Sequence, residues 1–182
     1  VSADSFADLT KIVENNQVTF GDQYTWSSYN PTTRKVIYTQ KADKLTIMDG
    51  SSQIIFTINA NDQVVSYEQI YAGSVQVLGK ERELITAQKA VEILYLAGRI
   101  SSKATVQSVK LSYYQSLVLK DFSIYSPAWY IEIRQADGQL IARRVDAIHG
   151  TVLANETLET TNTQTQRTTT NNTTTTQSVQ QQ

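Results

Sequence analysis

Short segments in which apolar and polar residues alternate, separated by turn residues, recur along most of this chain and limit the folds open to it. In residues 53–59, Ile54, Phe56 and Ile58 share one face, and Asn61-Asp62 then turns the chain back. Because such short turns join neighbouring strands, the pattern predicts mostly antiparallel sheets. The predicted strands are residues 18–29, 34–40, 44–48, 53–59, 63–71, 105–115, 128–134, 140–147 and 151–153.

Two segments have helical periodicity instead. Residues 86–97 place apolar side chains at helical spacing, with Thr86 suited to cap the start and Gly98 suited to end the helix. Residues 3–14 carry a shorter apolar stripe of the same kind. The sequence therefore predicts an α+β fold in which each half is a helix followed by several antiparallel strands.

The two helix-and-sheet units also predict a domain organisation. We expect an N-terminal domain over residues 1–80 and a C-terminal domain over residues 81–154, or one fused domain over residues 1–154. The end of the chain differs, since twenty of the 23 residues from 160 to 182 are Thr, Asn or Gln. Such a composition buries too little apolar surface to offset the entropy of ordering, so we predict that residues 155–182 form a disordered tail.

The composition argues against several functions. The chain has 182 residues, no cysteine, one histidine and a formal net charge of −1. These counts argue against a disulfide framework, a thiolate metal site, a cysteine nucleophile and a nucleic-acid-binding surface. No apolar run is long enough to span a bilayer and no signal peptide is present. Because the chain begins with Val1 rather than Met, we expect this residue to be a cut within a longer protein.

The residues that usually carry catalysis form no recognisable pattern here. His149 is the only imidazole, and its place at a predicted turn beside Gly150 favours a structural role over that of a general base or metal ligand. The sequence has no Gly-x-Ser-x-Gly motif and no glycine-rich phosphate loop. We therefore predict a protein without catalytic residues, a metal site or a cofactor.

Aromatic residues are the most unusual feature of the predicted strands. Tyrosine and tryptophan combine apolar area with a polar tip, which suits a partner-binding surface, although tyrosine is also a good strand former that packs at sheet margins. Adjacent pairs such as Trp129-Tyr130 place one ring on each face, so a second layer or a partner must cover one of the faces. The candidate partner-contact residues are Tyr67, Tyr71, Tyr113, Tyr114 and Trp129, with Trp129 also a candidate for the core.

Several segments, in order along the chain, resemble motifs of the YycI family. They are the Tyr-x-Gln-x-Tyr strand at residues 67–71, the helix Ala-Gln-Lys-Ala-Val-Glu-Ile-Leu-Tyr at residues 87–95, Pro127-Ala128-Trp129 and the Val-Asp-Ala-x-x-Gly turn at residues 145–150. Each motif alone is weak, but their order and spacing together are specific. The resemblance extends from about Val18 to Leu153, nearly the whole predicted body.

The resemblance implies a non-enzymatic regulator. Proteins of this family have one amino-terminal transmembrane helix and an extracytoplasmic domain at the cell membrane. With the related YycH protein they modulate the membrane histidine kinase YycG, also called WalK, of the YycFG cell-wall two-component system of low-GC Gram-positive bacteria. The resemblance therefore implies a YycH-like protein and the YycG/WalK kinase as partners, an anchor helix that this chain lacks, and no nucleic acid. It also implies a C-terminal half similar to the PepSY unit, and the Thr/Asn/Gln-rich tail matches no family feature.

Other functions stay open at the level of the sequence. A PepSY-like protease inhibitor or propeptide would also bind protein, but its target would be a peptidase. A hydrolase would need a pocket that gathers His149 with carboxylates. A binder of wall polymers or glycans would use exposed aromatic side chains.

Overall fold

The computed structural model describes residues 2–76, 78, 79 and 81–154, and it has the predicted α+β class. Two antiparallel sheets form the body, and a short helix precedes each of them. The predicted tail, residues 155–182, lies outside the described residues. The elements are α1 (Ala7–Glu14), β1 (Tyr24–Asn30), β2 (Lys35–Ala42), β3 (Leu45–Thr46), β4 (Gln53–Ile58), β5 (Val64–Ile70), α2 (Ala87–Leu96), β6 (Thr105–Val118), β7 (Ser123–Arg134) and β8 (Leu140–Asp146).

The first sheet has the strand order β1-β2-β4-β5, with β3 paired to β2. Alternation along β2 and β4 directs every second side chain toward α1, where Val13 is completely buried. This core closes one face of the sheet. Its buried members are Val13, Val18, Tyr24, Val36, Tyr38, Ile54, Phe56 and Ile58.

The second sheet has the order β6-β7-β8 and is covered by α2. The helix lies within one residue of its predicted bounds, because local chemistry defines both ends. The Thr86 side chain accepts a hydrogen bond of 3.1 Å from the Lys89 N–H, and Gly98 takes the left-handed backbone with φ of 67° that ends the helix. Its buried residues Ala90 and Leu94 pack on Ile131, Ile133 and Val145 of the sheet.

Several predicted strands differ from those in the structure: residues 44–48 contain only the two-residue β3, residues 105–115 extend to Val118, and residues 151–153 form one isolated bridge at Val152. The predicted strand 18–29 begins only at Tyr24, because Phe20 adopts a left-handed backbone with φ of 57° and a 3₁₀ turn follows. The predicted strand 128–134 begins earlier, at Ser123, and passes through Pro127. Proline is tolerated there because β8 pairs with β7 only from Ala128 onward, so no ladder bond is lost.

The two halves touch through the β3–β4 loop, residues 47–52. Ile47 forms a parallel bridge with Tyr113, and the Met48 N–H donates to the Tyr113 carbonyl at 3.0 Å. The Gln115 N–H of β6 donates to Asp49 Oδ2 at 2.5 Å. The loop therefore extends the backbone pairing of the second sheet with residues from the first half. The domain division at residue 80 and the likeness of the second half to the PepSY unit stay predictions.

The structure also bears on membrane spanning. Among the described residues, no helix is both long enough and apolar enough to cross a membrane.

Candidate partner-binding surface

Two of the predicted contact residues lie in or beside β5, one of the two edge strands of the first sheet. Tyr67 has 51% of its surface exposed, and the inner side of its ring lies against Phe56 of the core, with ring centroids 5.6 Å apart. Tyr71 follows β5, stacks on Phe20 at 4.4 Å and donates from its hydroxyl to Gln23 Oε1 at 3.0 Å. Tyr67 therefore offers a ring that is supported from behind and open in front.

The second sheet holds the other three predicted contact residues in internal interactions. The Trp129 indole N–H donates to the Ile85 carbonyl at 2.9 Å, and the ring packs in the core beneath α2. Tyr113 is half-buried and pairs with Ile47 of the β3–β4 loop. The Tyr114 hydroxyl donates to Asp146 Oδ2 at 2.6 Å. These side chains stabilise the fold of the second half.

Both faces of the sheet at Trp129-Tyr130 are covered by other parts of the same chain. Trp129 points toward α2. Tyr130 points to the opposite face and is only 5% exposed. Burial and the nearby Glu132 carboxylate raise the pKa of Tyr130 above its ordinary value. On that side Arg144 of the neighbouring strand donates to the Met48 carbonyl at 3.4 Å, so the β3–β4 loop supplies part of the second layer.

Asp146 is the most heavily bonded carboxylate near these tyrosines. It is 4% exposed and accepts hydrogen bonds from Tyr114 and from the backbone N–H groups of Ile148 and His149. Burial alone raises the pKa of Asp146, but these hydrogen bonds outweigh burial, so its pKa lies below the ordinary value. Burial, followed by the bond to Asp146, raises the pKa of Tyr114 to about 12. This arrangement holds the turn after β8 against β6.

His149 lies at that turn with its side chain largely in solvent, and its Nδ1 is 3.2 Å from Asp146 Oδ1. An open depression beside the start of α2 contains Lys89 and Glu83 but not His149. Within residues 2–76, 78, 79 and 81–154, no three His, Cys, Asp or Glu side chains gather as a metal site would require. The imidazole therefore has one carboxylate partner, Asp146, and lies outside that depression.

Apart from Tyr67, sequence reasoning missed two clusters of exposed apolar side chains. One, here the β5 edge, comprises Val64, Val65, Tyr67 and Ile70. The other, here the ribbon tip, lies where β6 and β7 extend beyond β8 and comprises Leu117, Val118, Leu119 and Phe122. Residue type alone could not identify them, since apolar residues in strands are usually buried. The run Leu117-Val118-Leu119, outside the predicted strands, was the one available indication.

The fold defines the class of protein: an α+β body of two antiparallel sheets, each with one helix. The chain belongs to the YycI family, whose profile, described as YycI protein, matches residues 2–148. Membership associates the chain, at the level of the family, with regulation of the YycFG two-component system, also called WalKR. A search of curated proteins finds no match to the chain.

Proposed function

We propose that this chain is the extracytoplasmic, non-enzymatic regulatory part of a single-pass membrane protein of a Gram-positive bacterium. It binds a YycH-like protein and modulates the YycG/WalK histidine kinase that controls cell-wall metabolism. The observation that carries the proposal is the family match, which covers residues 2–148 and therefore nearly all of the folded body. The anchor helix implied by the family would lie outside this chain.

Modulation of a kinase by a bound protein requires unequal affinity for two states. A regulator that binds the signalling and resting forms equally well shifts neither, however tight the binding. A shared membrane anchor raises the effective concentration of the partners, so a modest interface between the soluble parts is sufficient. The proposal therefore needs a small exposed surface rather than a deep cleft.

Among the five proposed contact residues, Tyr67 has the geometry best suited to this role. Its ring is half exposed, and Phe56 limits its motion from behind, which lowers the entropy lost on binding. Tyr71 lies on the same side of the sheet and extends the surface. Tyr113, Tyr114 and Trp129 would contribute through the stability of the second half, because their polar atoms or edges are already engaged.

The test is co-purification of the full-length, membrane-anchored protein from the host membrane. We expect it to recover the YycH-like protein and the YycG kinase, and we expect loss of the protein to change phosphorylation of the YycF response regulator. Tyr67→Ala should weaken partner binding by about 30-fold, the factor that corresponds to a hot-spot truncation of about 2 kcal/mol. Tyr95→Ala is the matched control, since Tyr95 is 60% exposed on α2, away from β5. Recovery of neither partner with the unaltered protein would exclude the proposed function.

A further inference from the structure

The outer edge of β5 differs from the other three sheet edges in the described part of the chain. A β-bulge interrupts the edge strand β1 between Trp26 and Ser28. Residues 47–49 pair with or bond to β6, and residues 151–153 pair with β8. On β5 the bulge falls at the start, opposite Ile58, and residues 66–70 form a regular strand. In natural proteins, bulges, lysine or proline usually prevent an edge strand from pairing with another chain. β5 contains neither lysine nor proline.

The pairing pattern identifies which backbone groups of β5 point outward. The Ile58 N–H donates to the Arg34 carbonyl, so Ile58 bonds toward β2. Backbone direction alternates along an antiparallel strand, so the neighbouring Thr57 bonds toward β5, where its partner is Ser66. The N–H and C=O groups of Ser66, Glu68 and Ile70 are therefore used within the sheet. The groups that point away from it are those of Tyr67 and Gln69, and among the described residues no backbone group pairs with them.

The side chains beside these outward backbone groups are mostly apolar and exposed, as they would be in a strand that pairs with another strand. Val65, Tyr67 and Ile70 are each half exposed or more. The only charged residue on β5 is Glu68, which lies on the open face of the sheet opposite Ile55. Side chains across neighbouring strands stabilise one another when apolar pairs and opposite charges face each other. The complementary strand would carry β-branched or aromatic residues beside Tyr67 and a lysine or arginine beside Glu68.

From this edge we infer that β5 takes up an extended segment of another polypeptide as an additional strand of the first sheet, with a basic residue paired to Glu68. Only an extended backbone presents alternating donors and acceptors at the spacing of Tyr67 and Gln69, which is how strand addition recognises its ligand. The inference rests on the proposed function, in which the chain acts by binding another polypeptide, and it specifies the mode of that binding.

A synthetic peptide tests the edge without knowledge of the natural partner. The probe has a central lysine flanked by valines and then threonines. We expect it to slow hydrogen exchange at the Tyr67 and Gln69 amides, measured by NMR. A matched peptide with glutamate at the centre should bind about threefold to fivefold more weakly, because it faces Glu68 with a like charge. Equal binding of the two peptides, or unchanged exchange at both amides, would overturn the inference.

Proline substitutions separate the free edge from the paired side of the same strand. Tyr67→Pro removes an outward donor and should abolish peptide binding while the fold persists. Tyr67→Thr keeps that donor but loses the ring, so it should bind the peptide more weakly than the unaltered chain and more tightly than Tyr67→Pro. Ser66→Pro removes a bond to β4 and should destabilise the sheet, which verifies the assigned direction of the strand. Peptide binding by Tyr67→Pro equal to that of the unaltered chain would contradict the inference.

Two further outcomes keep this inference distinct from the proposed function. If Tyr67→Pro still co-purifies with the YycH-like protein as well as the unaltered chain does, the edge is not the contact, and the proposed function stands. If the peptide binds but no partner co-purifies, strand addition at β5 is supported and the proposed function is contradicted. Concentration-dependent dimers of the peptide-free chain, lost in Tyr67→Pro during sedimentation, would assign the edge to a second copy and overturn the occupant inferred here.

Discussion

At the scale of single residues, Asp146 links two parts of the second half. One carboxylate oxygen accepts from the Ile148 and His149 N–H groups of the turn, and the other accepts from Tyr114 on β6. A buried donor left without an acceptor costs about 1–3 kcal/mol, more than a satisfied hydrogen bond contributes. The carboxylate therefore matters mainly because three donors lose their acceptor together when it is replaced.

We predict that Asp146→Asn lowers the free energy of unfolding by about 1–3 kcal/mol, because one amide oxygen cannot replace two carboxylate oxygens. Urea unfolding followed by circular dichroism measures the change. Asp121→Asn is the control, since Asp121 is exposed in the turn between β6 and β7. An equal effect in both variants would show that the hydrogen bonds to Asp146 add no stability beyond that of an exposed carboxylate.

The lowered pKa of Asp146 also predicts how its contribution depends on pH. A carboxyl group whose pKa is lower in the folded state stabilises the fold fully above its unfolded pKa, about 3.9. That contribution is lost as the pH falls through the lower pKa of the folded state. The difference in unfolding free energy between the unaltered chain and Asp146→Asn should therefore be constant from pH 7 to about pH 5 and shrink below about pH 4. A difference that grows on acidification would contradict this assignment.

At the scale of elements, α2 was predictable because its determinants are local. Thr86 at the start, Gly98 at the end and the apolar spacing between them all lie within one short segment, and each has the predicted role in the structure. The β6–β7 ribbon was not predictable to the same degree. Pro127 suggests a strand boundary, but β7 continues because the β8 ladder begins only at Ala128, and beside it the Pro127 carbonyl accepts from the Ala147 N–H.

The exposure of the candidate surface residues was likewise not predictable from the sequence. Tyr38 and Tyr67 are the same residue type on two predicted strands of the same half, yet Tyr38 is completely buried and Tyr67 is half exposed. The difference arises because β2 lies in the middle of the sheet and β5 at its margin. Strand order is a property of non-local pairing, which periodicity along the chain does not reveal.

The cap of α2 gives a prediction at this scale. Thr86→Ala removes the acceptor for the Lys89 N–H and should lower the free energy of unfolding by about 1 kcal/mol. Thr86→Ser keeps a hydroxyl in the same place and should restore most of the loss. Thermal unfolding of the two variants beside the unaltered chain measures both effects. Equal destabilisation by alanine and serine would show that the methyl group of Thr86, rather than its hydroxyl, stabilises the helix start.

At the scale of the whole molecule, the β3–β4 loop determines whether the two sheets behave as one body. Ile47 is completely buried where it bridges to Tyr113, and Asp49 bonds both to the Gln115 N–H and, through its other oxygen, to the Ser51 N–H of its own loop at 3.0 Å. A regulator that transmits partner binding on one sheet to a contact on the other needs such rigid coupling. The prediction of one fused domain over residues 1–154 therefore depends on this loop.

The two tryptophans allow the coupling to be measured, since Trp26 lies in the first sheet and Trp129 in the second. Fluorotryptophan labelling gives each ring its own fluorine NMR resonance, so urea unfolding of both halves is followed in one sample. We expect coincident midpoints for the unaltered chain, because a fused body unfolds cooperatively. Asp49→Ala should separate the midpoints, because it breaks the bond to Gln115 and leaves that N–H without its partner.

The control for this experiment is Asp121→Ala, which removes a carboxylate from the turn at the end of the β6–β7 ribbon and leaves the loop contacts intact. Its midpoints should stay together. Separate midpoints in the unaltered chain would instead support two domains divided near residue 80. Binding at the β5 edge would then need another route to any contact on the second sheet, because a signal that depends on rigid coupling cannot cross an interface that opens independently.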